Sequence, residues 1–153
     1  MGEKITSSSG KGHSAIRNSW LRYPLFFIAG ILLVVFAETI AREVQASEME
    51  IAFQIAGIIL IVGGFIETVI KNNCIAQIKI NVYENGVDGT GVNKNFQLGA
   101  YRPKYFKLTY DQITSVDTAG NNVLVIHASG MQYKCYVNNA AAIQDAIFNQ
   151  RNK

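Results

Sequence analysis

The chain has 153 residues, of which 16% are charged and 49% hydrophobic, a length that fits one domain or two very small ones. Its formal net charge of +3 gives no footing for nucleic-acid binding, which needs a clustered basic surface. The two cysteines, Cys74 and Cys135, lack CxxC spacing and support neither a metal knuckle nor a redox motif.

Residues 1–19 are small and polar, with the run Ser7-Ser8-Ser9-Gly10-Lys11-Gly12-His13, and read as a disordered tail. His13 has no neighbour there that suggests metal binding. Residues 20–71 read as a transmembrane hairpin, because a helix rising about 1.5 Å per residue needs roughly 20 apolar residues to cross a bilayer. Stretches 20–41 and 51–70 meet that length. Trp20 and Tyr23 suit a headgroup interface, and Pro24 suits the first turn of a helix. The run 25–37 is not followed by a small-x-small cleavage site, so it is expected to remain as a span. The small residues Ala29, Gly30 and Ala37, with Ala52, Ala56, Gly63 and Gly64, are expected to let the two helices approach closely. Glu38 and Glu67 lie near opposite ends of the spans, where an acid reaches the headgroup layer.

Lys4, Lys11, Arg17 and Arg22 precede the first span, and Lys71 and Lys79 follow the second. The connection 42–50 carries Arg42 against Glu43, Glu48 and Glu50. Positive flanks stay in the cytoplasm, so the expectation is a multi-pass protein of the inner (plasma) membrane. Both termini and the C-terminal domain would then be cytoplasmic.

From Ile75 the hydrophobic period becomes two. Ile78, Ile80 and Val82 alternate with polar residues up to the turn Glu84-Asn85-Gly86. A returning strand is expected over 87–92, then strands around Phe96 and Leu98, at 106–110 and at 113–118. A tight turn at Gly120-Asn121-Asn122 leads to a strand over 123–128, and Met131, Tyr133, Cys135 and Val137 share one face of the last. Asn138 or Asn139 can cap a closing helix whose stripe is Ala140, Ile143 and Ile147.

The run Ile80-Asn81-Val82-Tyr83-Glu84-Asn85-Gly86-Val87, the segment Leu108-Thr109-Tyr110-Asp111-Gln112-Ile113, the later hairpin and the final helix together resemble the bacterial pleckstrin-homology-like domains. The resemblance covers residues 76–150. It implies an α+β fold class, in which a transmembrane α-helical hairpin precedes a PH-like bent antiparallel β-sandwich or barrel, at 72–153, capped by a C-terminal helix. It implies no catalytic residues.

Gly86-Val87-Asp88-Gly89-Thr90-Gly91 is flanked by strands, whereas a phosphate loop opens a helix, so a glycine-rich hairpin is expected. His127 stands alone in its strand, and no Ser/His/Asp or Cys/His constellation is apparent. No metal or cofactor is expected, and an enzyme is not. The one cluster of interest is 101–107, where Arg102, Lys104 and Lys107 interleave with Tyr101, Tyr105 and Phe106 on a loop entering a strand. Arg102, Lys104, Tyr105 and Lys107 are therefore the candidate contact residues. The expected function is a non-enzymatic, membrane-anchored scaffold that binds a protein partner or forms a homo-oligomer. The alternatives are recognition of anionic inner-leaflet lipid by 101–107, or an accessory role in a membrane transport complex through Glu38 or Glu67.

Overall fold

A computed structural model describes residues 1–45, 47–93, 102–120 and 122–153. The chain forms two compact units, one at Arg17–Lys71 and one joining Met1–Ile16 to Asn72–Lys153.

The first unit is built by α1 (Ser14–Val35), α2 (Ala37–Glu43) and α3 (Glu50–Gln77). α1 and α3 are long and apolar enough to cross a membrane by length and composition, and only 11% of each apolar window is buried within the protein. Gly30 and Gly57 face each other where these helices approach closely. A Cβ on either would stand 2.6 Å from the other's carbonyl oxygen, which leaves room for backbone only. Of the small residues expected at this seam, Gly30 and Ala37 are buried, and Gly64 packs on Phe26. Ala29, Ala52 and Gly63 face outward instead, and Gly57 takes the central place. α1 also begins earlier than expected, so Pro24 lies inside it rather than in its first turn. Its missing N–H frees one carbonyl, a defect that helices of this apolar kind tolerate.

The second unit is a curled antiparallel sheet, a half-barrel, with a helix at its C-terminal end. Its strands are β1 (Lys4–Ser9), β2 (Lys79–Tyr83), β3 (Gly86–Asn93), β4 (Pro103–Leu108), β5 (Ile113–Ala119), β6 (Val123–Ala128) and β7 (Met131–Tyr136), followed by α4 (Ala140–Arg151). The sheet order is β1-β2-β3-β7-β6-β5, with β4 also paired to β3. The curl follows from β3. Val87 pairs with both Val82 and Leu108, and Val92 pairs with both Pro103 and Lys134. One edge of β3 thus carries β4 throughout, while the other passes from β2 to β7. Gly89 and Gly91 permit that bend, and the Phe106 ring lies over both, filling the space their missing side chains leave.

The expected tail is corrected here. Residues 4–9 are not disordered but pair with β2, from Lys4 opposite Tyr83 to Ser9 opposite Lys79. The chain then turns at Gly10, whose N–H donates to the Ile78 carbonyl at 2.8 Å and whose Cα has no space for a side chain against the Ile75 carbonyl. His13 follows, 2% exposed. Its Nδ1 accepts the Ala15 N–H at 3.0 Å, capping α1, so Nε2 carries the proton and donates to the Asn122 carbonyl at 3.1 Å. The ring stands edge-on to Tyr136 at 5.4 Å.

The core of this unit is the period-two set of the sequence. Ile78, Ile80, Val82, Val87, Leu124, Ile126, Cys135 and Val137 are buried together with Ala140, Ile143 and Ile147 of α4. Asn139 caps α4 by accepting the Ala142 N–H at 3.4 Å. Expected strand residues Phe96 and Leu98, and Asn121 of the β5–β6 turn, lie outside the described residues.

Candidate functional site

The basic and aromatic cluster is carried mainly by a strand. β4 begins at Pro103, so alternation divides the cluster between two faces. Phe106 turns inward, 3% exposed, and packs on Tyr133 with ring centroids 4.7 Å apart. Tyr105 and Lys107 share the outer face, where Tyr105 is 59% exposed. Lys104 has the parity of Phe106 but sits exposed near the strand's start, and Arg102 is exposed just before it. Tyr101 lies outside the described residues.

On the outer face, the register sets Asn81, Asp88 and Lys107 in one cross-strand row. Asn81 donates to Asp88 Oδ1 at 2.7 Å, while the Tyr83 and Tyr105 hydroxyls reach Oδ2 at 3.4 and 3.5 Å. Partial burial, and then the charge and hydrogen bond of Asp88, push both phenols above their ordinary range. Both remain neutral donors at physiological pH, and Asp88 fixes Tyr105 beside Lys107.

The edges of the sheet differ. Along β5, Gln144 of α4 donates to the Val116 carbonyl at 2.7 Å and Arg151 to the Thr114 carbonyl at 3.4 Å. At β1, the Asn138 N–H donates to the Ser8 side-chain Oγ at 3.2 Å, and beyond the end of the strand the Asn138 side-chain amide donates to the Lys11 carbonyl at 2.9 Å. The edge of β4 away from β3 has no strand or helix laid along it among the described residues. An unpaired edge of this kind is a template for another extended chain.

Ser115, Asp117 and His127 also meet, a grouping the sequence reading missed. His127 Nε2 lies 3.2 Å from Asp117 Oδ2, and Ser115 Oγ donates to the same oxygen at 3.2 Å. Ser115 and Asp117 lie two apart on one strand and His127 on the next, a placement that alternation and hairpin pairing could have revealed. The carboxylate sits between the hydroxyl and the imidazole, so the ring is not placed to take the serine proton, as nucleophilic catalysis requires. An open groove of about 600 Å³ includes Glu84, Asp111, Arg151 and Lys153 in its lining, and these opposed charges select no single ligand sign. Among the described residues, no group of three or more His, Cys, Asp or Glu side chains could hold a metal ion. Glu38 of α2 is engaged with Arg42 one turn on. The glycine-rich segment forms β3 of a hairpin with β2. Cys135 is buried in β7, and burial pushes its thiol up to about 12.

Compared with known protein families, curated proteins and solved structures, the chain has no match.

Proposed function

We propose that this protein is a non-enzymatic, membrane-anchored adaptor whose α1–α3 hairpin lies in the inner membrane and whose β unit binds a protein partner in the cytoplasm. The observation that carries this reading is the basic edge of β4, along which no strand or helix of the described residues lies, whereas side chains of α4 reach the edge carbonyls of β5. The succession β2–β3–β4, then β5–β6–β7, then α4 supports assigning the β unit to the pleckstrin-homology-like architecture. The pairing of β1 with β2 supports placing both termini on one side of the bilayer, because strands that hydrogen-bond must share a compartment. The basic residues flanking the spans support taking that side as the cytoplasm.

The adaptor reading is tested by crosslinking the full chain in intact membranes and purifying it in mild detergent. A discrete adduct with another protein is expected, and recovery of the monomer alone overturns the proposal. Orientation is read separately with Ser47→Cys and Ser129→Cys in a background carrying Cys74→Ala and Cys135→Ala. Toward a membrane-impermeant thiol reagent, the first labels on intact cells and the second only after lysis. Labelling of the second on intact cells inverts the topology.

A further inference from the structure

Resting on that adaptor reading, we infer that the edge of β4 away from β3, unpaired among the described residues, receives an extended, acidic segment of the partner as an added antiparallel strand, with two acidic side chains three residues apart opposite Lys104 and Lys107. The edge supplies backbone donors and acceptors, and the flanking charge chooses the occupant. Residues 102–107 hold Arg102, Lys104 and Lys107 and no acid.

A second copy of the chain is the occupant that this edge disfavours. Pairing two β4 strands about their midpoint sets Lys104 opposite Lys107 twice, and like charges directly opposed destabilise a sheet. Pro103 at the strand's start further blunts casual pairing. An acidic strand reverses the sign of every one of those contacts.

The spacing follows from alternation. Lys104 and Lys107 differ by three positions and so have opposite face parity, as do two partner residues three apart. The two intervening partner residues then lie opposite Tyr105 and Phe106. The outer one meets the Tyr105 ring, for which a β-branched side chain is the favourable neighbour. The Tyr105 hydroxyl lies 3.5 Å from Asp88 Oδ2, a contact that biases the ring toward β3 before a partner arrives.

The test uses the full chain in zwitterionic nanodiscs and the labelled peptide Thr-Glu-Val-Thr-Glu-Val-Thr, read by fluorescence anisotropy. Saturable binding is expected, weakened about tenfold or more by the double substitution Lys104→Glu and Lys107→Glu. The reversed-charge peptide Thr-Lys-Val-Thr-Lys-Val-Thr should bind the doubly substituted chain and not the original. That restored binding also demonstrates that the variant is folded. Replacing the central Val-Thr pair by Pro-Pro should abolish binding, since one of any two adjacent strand residues donates its N–H into the ladder. Absence of binding, equal binding of both peptides, or indifference to proline overturns the inference. So does loss of binding in anionic nanodiscs at physiological salt, which would make the lipid surface the occupant of the basic strand. If the peptide fails while membrane crosslinking still gives a discrete protein adduct, only the strand-addition inference falls. If both fail, the adaptor reading falls with it.

Discussion

The two units spend similar apolar side chains in opposite directions. In the helical unit, Leu25, Ile28, Leu32, Val35, Ile51, Ile55, Ile59 and Val62 all point outward. In the β unit, Ile78, Ile80, Val82, Leu124 and Ile126 are fully buried, and Lys79, Asp117 and Lys107 occupy the exterior. An apolar exterior on long helices suits hydrocarbon, whereas a period-two division suits water on one side and a core on the other. The contrast teaches that a chain-wide average hides two opposite patterns: the mean hydropathy of +0.14 describes neither unit.

The most damaging test of that contrast strikes the β core. Phe106→Ala removes the ring that covers Gly89 and Gly91, a site with no side chain of its own to relax inward. The expected cost is about 3–5 kcal/mol. Trp20, the one tryptophan, belongs to the helical unit, while six of the seven tyrosines lie in the β unit's share of the chain. Denaturant titration in detergent should therefore shift the tyrosine near-ultraviolet transition and leave the Trp20 fluorescence transition in place. Equal shifts of both signals would mean that the units unfold as one.

The next test introduces the same charge into both environments. Ile59 is 62% exposed near the middle of α3, and Tyr105 is 59% exposed on β4. If lipid surrounds α3, Ile59→Asp should cost about 2.5–3.5 kcal/mol of insertion, whereas Tyr105→Asp in water, which loses the contact with Asp88 and adds a like charge beside it, should cost about 1 kcal/mol. The fraction of chain resisting alkaline extraction from membranes measures the first, and a thermal melt the second. An unchanged membrane fraction for Ile59→Asp would place that face in water or against protein.

A smaller effect is expected at the N-terminal join. His13→Ala removes the acceptor for the Ala15 N–H and the donor for the Asn122 carbonyl in a site sealed from solvent. The expected loss is about 1–3 kcal/mol, read as a lower tyrosine-detected midpoint. Faster proteolysis after Lys4 and Lys11 should accompany it. An unchanged midpoint would show that β1 contributes nothing to the stability of the sheet.

These positions also show what the sequence could and could not disclose. Ile80, Val82, Leu124 and Ile126 were legible because alternation is local, and a cap at Asn138 or Asn139 because a capping side chain precedes an apolar stripe; Asn139 is the one that caps. β1 was not legible: within Lys4–Ser9 only Ile5 is apolar, and the strand is specified by β2, far along the chain. Such dependence on a distant partner is the ordinary limit of strand propensity. His13 escaped notice because it caps α1 with a ring nitrogen in place of the usual short polar side chain. At the candidate site, the residue types of 102–107 were visible, and period two already turned Phe106 inward. That α4 would engage β5, and no described element the outer edge of β4, depended on registers and a helix packing that no local pattern encodes.

The subtlest prediction concerns Cys135, whose Sγ is buried beside Gly91 and donates to the Thr90 carbonyl at 3.9 Å. Burial raises its thiol from the ordinary value of 9.0 to about 12, because the thiolate would lose its hydration without gaining a counter-charge. The folded state therefore holds the thiol proton more tightly than the unfolded chain. The stability this provides is complete below pH 9 and is lost as pH rises towards 12, the unfolded thiol ionising while the folded one cannot. The slope from this one group is at most about 1.4 kcal/mol per pH unit. Denaturant midpoints of the β unit, measured between pH 8 and pH 10.5, should fall less steeply for Cys135→Ala than for the parent chain, even though the cavity lowers the variant's stability at every pH. The same enclosure makes Cys135 inert to a thiol reagent at neutral pH in the Cys74→Ala background until denaturant is added. Parallel pH profiles for parent and variant, or labelling in the folded protein, would show that the sheet opens there to water and that its interior is less closed than the contrast with the helical unit requires.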